Sequence, residues 1–322
     1  MSETINLKNL AKHFSDADKA RDLLEKLRWP NGAMCPHCTA TNVFRLTPKE
    51  GSKTRKGLWK CSACRKQFTV TVGTIFEASH IPLNTWLLAI HLLCSSKKGM
   101  SAHQLHRMLG VTYKSAWFMA HRIRYAMEQG PLFTKLSGVV EADEVYIGGS
   151  ITNMHHKDKV RRGLTSARGL SKDKAPVHTL VERGGRVKTQ HMERVTGLNI
   201  KKALREHVAK DNAYLMTDEA AIYNDAHRMF LGHETVNHSE KEYVRGHAHV
   251  NTAESVHALL KRGVIGVYHH WSKKHLHRYL SEFDFRWNGR KDSDGERTIQ
   301  AVKGFEGKRL MYRDSSVGAK KH

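Results

Sequence analysis

No stretch of this 322-residue chain is apolar for long enough to cross a membrane. A spanning helix needs about 20 such residues. The longest strongly apolar run, Trp86–Cys94, is interrupted by His91. The opening residues, MSETINLKNLAKHF, contain no apolar h-region of a secretory signal. These absences exclude a membrane-spanning role and point to an intracellular, cytoplasmic protein. The chain is also short of acid: 31 Asp+Glu face 54 Lys+Arg, a formal net charge of +23. Such an imbalance calls for a polyanionic partner, with nucleic acid ahead of an anionic membrane surface. There are only five cysteines, and disulfides do not persist in a reducing compartment, so paired cysteines argue for a metal. No internal repeat or low-complexity block interrupts the chain.

What is present is ordinary for a globular protein: 39% hydrophobic and 26% charged residues. The length allows two or three domains, each with its own core. Basic charge is spread over both halves. Residues 1–134 hold 20 basic and 8 acidic residues, and the remainder 34 and 23. Two separate nucleic-acid contacts are therefore expected.

Residues 4–28 read as helix with a break near Ser15–Asp16, residues 83–93 as an apolar helix after Pro82, and residues 101–128 as two helices around Gly110. From 138 the texture changes. VVEADEVYIGG is a β-prone run, and 150–175 is a polar, basic loop. Two alternating segments around Gly184–Gly185 signal a hairpin. A helix at 200–209, a short buried strand AYLMT, and helices at 252–261 and 273–287 follow. This order predicts a mixed α/β fold, a central sheet with helices on its faces. Residues 289–322 read as a polar, basic tail.

Cys35-Pro36-His37-Cys38 and Cys61-Ser62-Ala63-Cys64 are two CxxC knuckles. Two thiolates at that spacing reach one metal from a tight turn, and two such turns complete a tetrahedron. Structural Zn²⁺ held by Cys35, Cys38, Cys61 and Cys64 is the expectation. A redox pair lacks the flanking βαβ unit. Zinc binding contributes on the order of 10 kcal/mol or more in small fingers. Cys94, in an apolar helix, reads as core.

Ala102, Leu105, Met108 and Leu109 form one apolar stripe, and Ala116, Met119, Ala120 and Ile123 a second. Gly110-Val111 turns the chain between them, and Ser101 and Thr112 are suited to cap the helices. An ordinary helix pair has the same pattern. Beside a basic zinc ribbon it also reads as a helix-turn-helix, with Lys114, Arg122 and Arg124 as candidate DNA contacts alongside Tyr113 and Trp117.

Asp143 and Glu144 interrupt an apolar strand, Asp218 and Glu219 follow another, and Glu254 opens a helix after His247-Ala248-His249-Val250-Asn251. A carboxylate at the edge of a core element is costly unless paired or metal-bound. Two carboxylates 4 Å apart repel by about 4 kcal/mol at an effective dielectric of about 20. Hard oxygen ligands select Mg²⁺ or Mn²⁺. Each acid alone is equally a surface charge or a helix cap. The set of three is what suggests a two-metal phosphoryl-transfer site, with Asp143 shared between the ions.

At these residues the chain resembles the bacterial insertion-sequence transposases of the DDE type, in particular the group with an N-terminal zinc ribbon and an integrase-like catalytic domain. The segments that carry it are CPHC and CSAC, TVGTIFEASHIPLNTWLLAIHLL, VVEADEVYIGG, LMTDEAAIY, and HVNTAESVHALLKRGVIGVYHHWSKKHLHRYLSEFDFRWNGR. The resemblance spans residues 20–290. It implies a ribonuclease-H-like catalytic fold with Asp143, Asp218 and Glu254 as its triad. Lys261, with Arg262 beside it, would touch substrate DNA, and Asn251 and His249 are secondary candidates. Implied partners are the terminal inverted repeats and target duplex, bound by a homodimer or larger oligomer at the bacterial nucleoid. The expected organisation is an N-terminal helical segment (1–30), zinc ribbon (31–73), helix-turn-helix domain (74–134), catalytic domain (135–290) and basic tail (291–322). A DNA-binding regulator without activity, and a nuclease without strand transfer, remain alternatives.

Overall fold

The computed structural model describes residues 16–47, 51, 55–128, 134–148, 154–161, 174–237, 240, 242 and 244–311. The chain forms two compact units. One holds residues 1–128 together with 291–322, and the other residues 129–290. Most of the loop expected at 150–175, the helical reading of residues 4–15 and the last residues of the tail lie outside the described residues.

The first unit begins with α1 (Ala17–Arg28), whose N-cap Asp16 accepts from the Asp18 amide. That cap is the physical form of the break read at Ser15–Asp16. A three-stranded antiparallel sheet follows, β1 (Val43–Leu46), β2 (Leu58–Cys61) and β3 (Gln67–Phe68). The segment QFTVTVGT therefore contributes two strand residues, and turns take the rest. Trp29 meets Trp59 and Phe68 edge-on, with centroids 5.8 and 5.9 Å away, and seals the ribbon against α1.

Helix α2 (Leu83–Ser95) is buried on most of its surface, including Trp86, Ile90, Leu93 and Cys94. Helices α3 (Ala102–Leu109) and α4 (Tyr113–Met127) form the helix-turn-helix. Ser101 accepts from the Gln104 amide and Thr112 from the Ser115 amide. Gly110 closes α3 at φ 64°, a left-handed conformation that glycine adopts without steric cost.

The stretch read as a basic tail is corrected here. Residues 294–303 form helix α9 (Asp294–Lys303), opened by a capping box between Ser293 and Glu296. Its Thr298 hydroxyl lies 3.0 Å from His91 Nδ1 of α2, and Arg297 Nε donates to the Cys94 carbonyl at 3.2 Å. Just beyond it, Phe305 packs on Phe76, which in turn meets Trp86. The C-terminal stretch thus completes the core of the first unit.

The second unit is built on a five-stranded sheet in the order β6-β5-β4-β7-β8. Its strands are β4 (Leu136–Ile147), β5 (Ala175–Glu182), β6 (Val187–His191), β7 (Val208–Asp218) and β8 (Gly232–Val236). The first three run antiparallel; β7 and β8 run parallel to β4. This is the ribonuclease-H-like mixed sheet that the sequence leads one to expect. A short helix α5 (His156–Arg161) lies between β4 and β5, and α6 (Gly197–His207) feeds into β7 without a loop. The helix read at 200–209 therefore stops two residues early, and the short strand AYLMT is the second half of a longer one.

Side chains alternate across β4. Val140 and Ala142 join Leu180, Leu204 and Leu215 under α6. Val145 and Ile147 join Val177, Val256, Leu260 and Phe283 under α7 (Asn251–Gly263) and α8 (Leu276–Asn288). A π-helical turn, Val264–Tyr268, ends α7.

Helix α8 is tied to β6 by a buried carboxylate. Asp284 accepts from the Thr189 amide at 2.9 Å and the Thr189 hydroxyl at 2.7 Å. Burial pushes its pKa up to about 7 against the pull of those two bonds. A raised folded-state pKa stabilises the fold fully below the unfolded value near 3.8, and that contribution is lost as pH rises toward 7. Asp284→Asn should therefore flatten the decline in thermal stability between pH 4 and 7 and raise the melting temperature at pH 8. A variant with the wild-type pH profile would contradict this account of Asp284.

Candidate active site and metal centre

The four cysteines of the ribbon converge. Cys35 Sγ lies 3.7 Å from Cys64 Sγ, and Cys38 Sγ lies 3.6 Å from Cys61 Sγ. All four sulfurs fall within 4.8 Å of one another. A tetrahedron with metal–sulfur bonds of about 2.3 Å has edges of roughly 3.8 Å, so the cage fits one Zn²⁺. The residue after each second cysteine, Thr39 and Arg65, takes φ 60°, which lets each knuckle fold back on itself. The Cys64 amide points at Cys61 Sγ and draws the Cys61 thiol down to about 7, toward the thiolate that binds metal. Chelation should cost this unit most of its stability. Dialysis against a strong zinc chelator should release one Zn²⁺ per chain and abolish cooperative melting of the ribbon; an unchanged melt would sink the structural role.

In the second unit, the register sets Glu141 of β4 opposite Met216 of β7. Asp143 and Asp218 each lie two residues further, on the same face of neighbouring parallel strands. The negative charges are mutually felt: burial raises the pKa of Glu144 to about 7, and Asp143 and Asp218 add to the rise while the Tyr223 hydroxyl opposes it. Tyr223 donates to Glu144, and His178 Nε2 is 3.7 Å away, both on the α6 side of the sheet.

Helix α7 covers the other face. His257 Nδ1 lies 3.4 Å from Asp143 Oδ2, and its Nε2 lies 3.0 Å from the Thr179 hydroxyl. Burial, aided by the charge of Lys261, lowers the His257 pKa to about 4, so the ring is neutral. A neutral imidazole has one donor and one acceptor. Nδ1–H facing Asp143, with Nε2 accepting from Thr179, satisfies both neighbours. Glu254 is exposed in the first turn of α7, three residues before His257, and Lys261 is exposed four residues after it. The spacing puts all three along one flank of the helix. Arg262 is exposed next to Lys261, and Asn251 is the exposed first residue of the helix. The oxygens of Asp143, Asp218 and Glu254 are not drawn into one tight group. Among the described residues, the cysteine cage is the only such set.

The start of α7 is held by a residue that sequence reasoning passed over. Glu141, fully buried, accepts from the Thr252 amide at 2.7 Å, the Thr252 hydroxyl at 2.9 Å and the Ala253 amide at 3.0 Å. Arg183 Nε donates to it at 2.7 Å, while the same guanidinium donates to the carbonyls of His247 and His249. His249 Nδ1 is 3.2 Å from Glu141 Oε1 but outside hydrogen-bond geometry. The structure thus places His249 against this anchor.

Two of the candidate DNA contacts are corrected. Arg122 and Arg124 are buried, at 6% and 2% exposure. Arg122 donates to the carbonyls of Ile75, Glu77 and Leu310 and ties the 75–77 turn and the C-terminal stretch to α4. Neither offers its charge at the exposed surface. Lys114 is exposed at the start of α4 beside Tyr113, which stacks on His103 at 4.3 Å.

A ribonuclease-H-like sheet with paired aspartates beneath a helix, in a chain that also carries a four-cysteine ribbon, defines a class of DNA-rearranging proteins, and the comparisons agree. Residues 135–288 match the ISXO2-like transposase domain, and residues 15–67 match the transposase zinc-ribbon domain. The chain is 31% identical over 286 residues to an uncharacterised protein in transposable element ISH50 of Halobacterium salinarum, spanning 85% of this chain and 92% of that one. The chain belongs to the insertion-sequence transposases with an ISXO2-like domain behind a zinc ribbon. The intasome of simian T-cell lymphotropic virus in complex with PP2A regulatory subunit B56 gamma shares 14% identity over 59% of this chain and 66% of that one. Its TM-score is 0.26, too slight a likeness to bear on the fold. Among the described residues no helix is long and apolar enough to cross a membrane.

Removing the Glu141 carboxylate leaves Arg183 and two helix amides without their buried partner. Such losses typically cost about 3–5 kcal/mol. Glu141→Ala should lower the urea-unfolding free energy of the protein by about 3 kcal/mol or more. A loss below about 1 kcal/mol would show that α7 is held by other means.

Proposed function

We propose that this transposase binds the terminal inverted repeats of its insertion sequence and cuts and joins DNA by in-line phosphoryl transfer at Asp143, Asp218 and Glu254. The observation that carries the reading is the placement of Asp143 and Asp218 side by side on one face of β4 and β7, beneath the helix that bears Glu254 and Lys261. The donor set is all hard carboxylate oxygen, which suits Mg²⁺ or Mn²⁺. Two such ions, when bound, would activate the attacking oxygen and stabilise the leaving one.

The chain's own residues supply the rest. His257 orients Asp143. Lys261 and Arg262 offer positive charge to phosphates on the exposed flank of α7. Glu144 holds its proton below about pH 7 through burial and so adds little negative charge to the aspartates. The zinc ribbon and the exposed start of α4, with Lys114, bind duplex DNA. Paired cutting of two ends requires at least a dimer. Activity would place the protein at the nucleoid.

The test uses the full chain, a pre-nicked duplex carrying the element's own ends, a supercoiled plasmid and Mg²⁺ or Mn²⁺. Asp143→Asn, Asp218→Asn and Glu254→Gln should each bind the ends as the wild type does and yield no joined product. His257→Ala should raise the metal concentration needed for half-maximal joining by roughly 10–100-fold, as loss of an orienting partner does elsewhere. Metal-dependent cutting without joining would make the protein a nuclease. Unimpaired joining by any of the three carboxylate variants would overturn the assignment.

A further inference from the structure

We infer that a basic concavity at the end of the sheet opposite the carboxylates is a second DNA-backbone site. The hollow has a volume of about 400 Å³ and is ringed by Lys135, Arg205, Lys210 and Arg228, over a floor that includes Met229 and Phe230. All four cations are exposed, and among the described residues no carboxylate lines the hollow.

The fold explains why they gather. Lys135 precedes β4, whose first residue Leu136 pairs with Val208, the first residue of β7. Helix α6 runs into β7 without a loop, so Arg205 and Lys210 flank one sharp change of direction. Lys135 Nζ donates to the Arg205 carbonyl at 2.7 Å and thereby caps α6 while keeping its charge at the rim. Arg228 makes a long ion pair with Asp225 Oδ1 at 3.9 Å.

Four like charges around one hollow repel one another, and a polyanion relieves that repulsion. The chemistry they select is phosphate, with guanidinium forks suited to bidentate contact and ammonium groups to point charge. The apolar floor favours an ester-linked sugar-phosphate backbone over a small, fully hydrated anion.

The hollow is remote from the candidate catalytic residues. Asp143 lies eight residue steps along the chain from Lys135, roughly 25 Å at about 3.3 Å per residue. That is about seven base pairs of duplex at 3.4 Å per pair. The hollow therefore grips the backbone about seven base pairs from the reacting phosphate, or grips a second duplex. This inference rests on the proposed function for the identity of its ligand. Its test reads binding, so a failure to cut or join DNA does not affect it.

The experiment measures affinity of the full chain for a duplex of about 30 base pairs as a function of salt, by fluorescence anisotropy. The double variant Arg205→Glu/Lys210→Glu is compared with an equal charge change elsewhere on the unit, Lys273→Glu/Lys274→Glu. Each phosphate contact contributes about 0.9 to the slope of log affinity against log salt, so the hollow variant should lose about two units of slope and on the order of tenfold in affinity more than the control. The conservative Arg205→Lys/Lys210→Arg variant should keep the wild-type slope, and the melting temperatures show that all three are folded. Equal losses in the two charge-reversal variants would reduce the effect to diffuse electrostatics and overturn the inference. So would a hollow variant that loses binding of inorganic phosphate but keeps its duplex slope, since the hollow would then be a small-anion site.

Discussion

The unit of residues 129–290 is organised by one buried carboxylate. Glu141 sits in the centre of the sheet with no exposure, where an ionised group is tolerated only if its charge is met. It is met twice. The first amides of α7 point at it, with the positive end of the helix dipole behind them, and the Arg183 guanidinium completes the set. Because Arg183 also grips the carbonyls of His247 and His249, the loop entering α7 is fixed by the same charge. The consequence is a fixed register between helix and strand. With Thr252 and Ala253 held over Glu141, His257 falls over Asp143 one turn later, and Glu254 and Lys261 fall on the flank to either side. A helix free to slide by a residue would separate these groups.

The first unit solves a different problem. Its sheet is too small to bury a core of its own, and below about 40 residues a metal is the usual remedy. The four-cysteine cage closes the ribbon, Trp29 and Phe68 seal it against α1, and α2 provides the apolar bulk. The last described stretch of chain then returns to this unit. Arg28 of α1 pairs with Glu306 at 2.7 Å, and His91 of α2 meets Thr298 of α9. The unit of residues 129–290 is therefore an insertion, in sequence terms, between the two stretches that make up the first unit.

Much of this was readable from residue types and spacing. Matched CxxC pairs allow little besides a metal cage, and Ser101, Gly110 and Thr112 mark helix ends by local chemistry alone. The strands bearing Asp143 and Asp218 stood out because carboxylates are rare in apolar runs. Other features depend on contacts far apart in the chain. Arg122 and Arg124 look like DNA contacts on a helical wheel, and only the packing of residues 75–77 and 310 around Arg122 shows that this charge faces inward. Glu141 was hidden by its neighbours Asp143 and Glu144, which carry the same charge with different partners. Helix α9 had a local signal, the Ser293–Glu296 capping box, masked by a basic composition that reads as tail.

The central claim is that Asp143, Asp218 and Glu254 act together on divalent metal. Replacing that metal with Fe²⁺ and adding ascorbate generates radicals that cut the nearby backbone. The account predicts cuts clustered around residues 141–145, 216–220 and 250–257, suppressed by Mg²⁺ and absent in Asp143→Asn. Cuts confined to other segments, or unchanged in that variant, would contradict it.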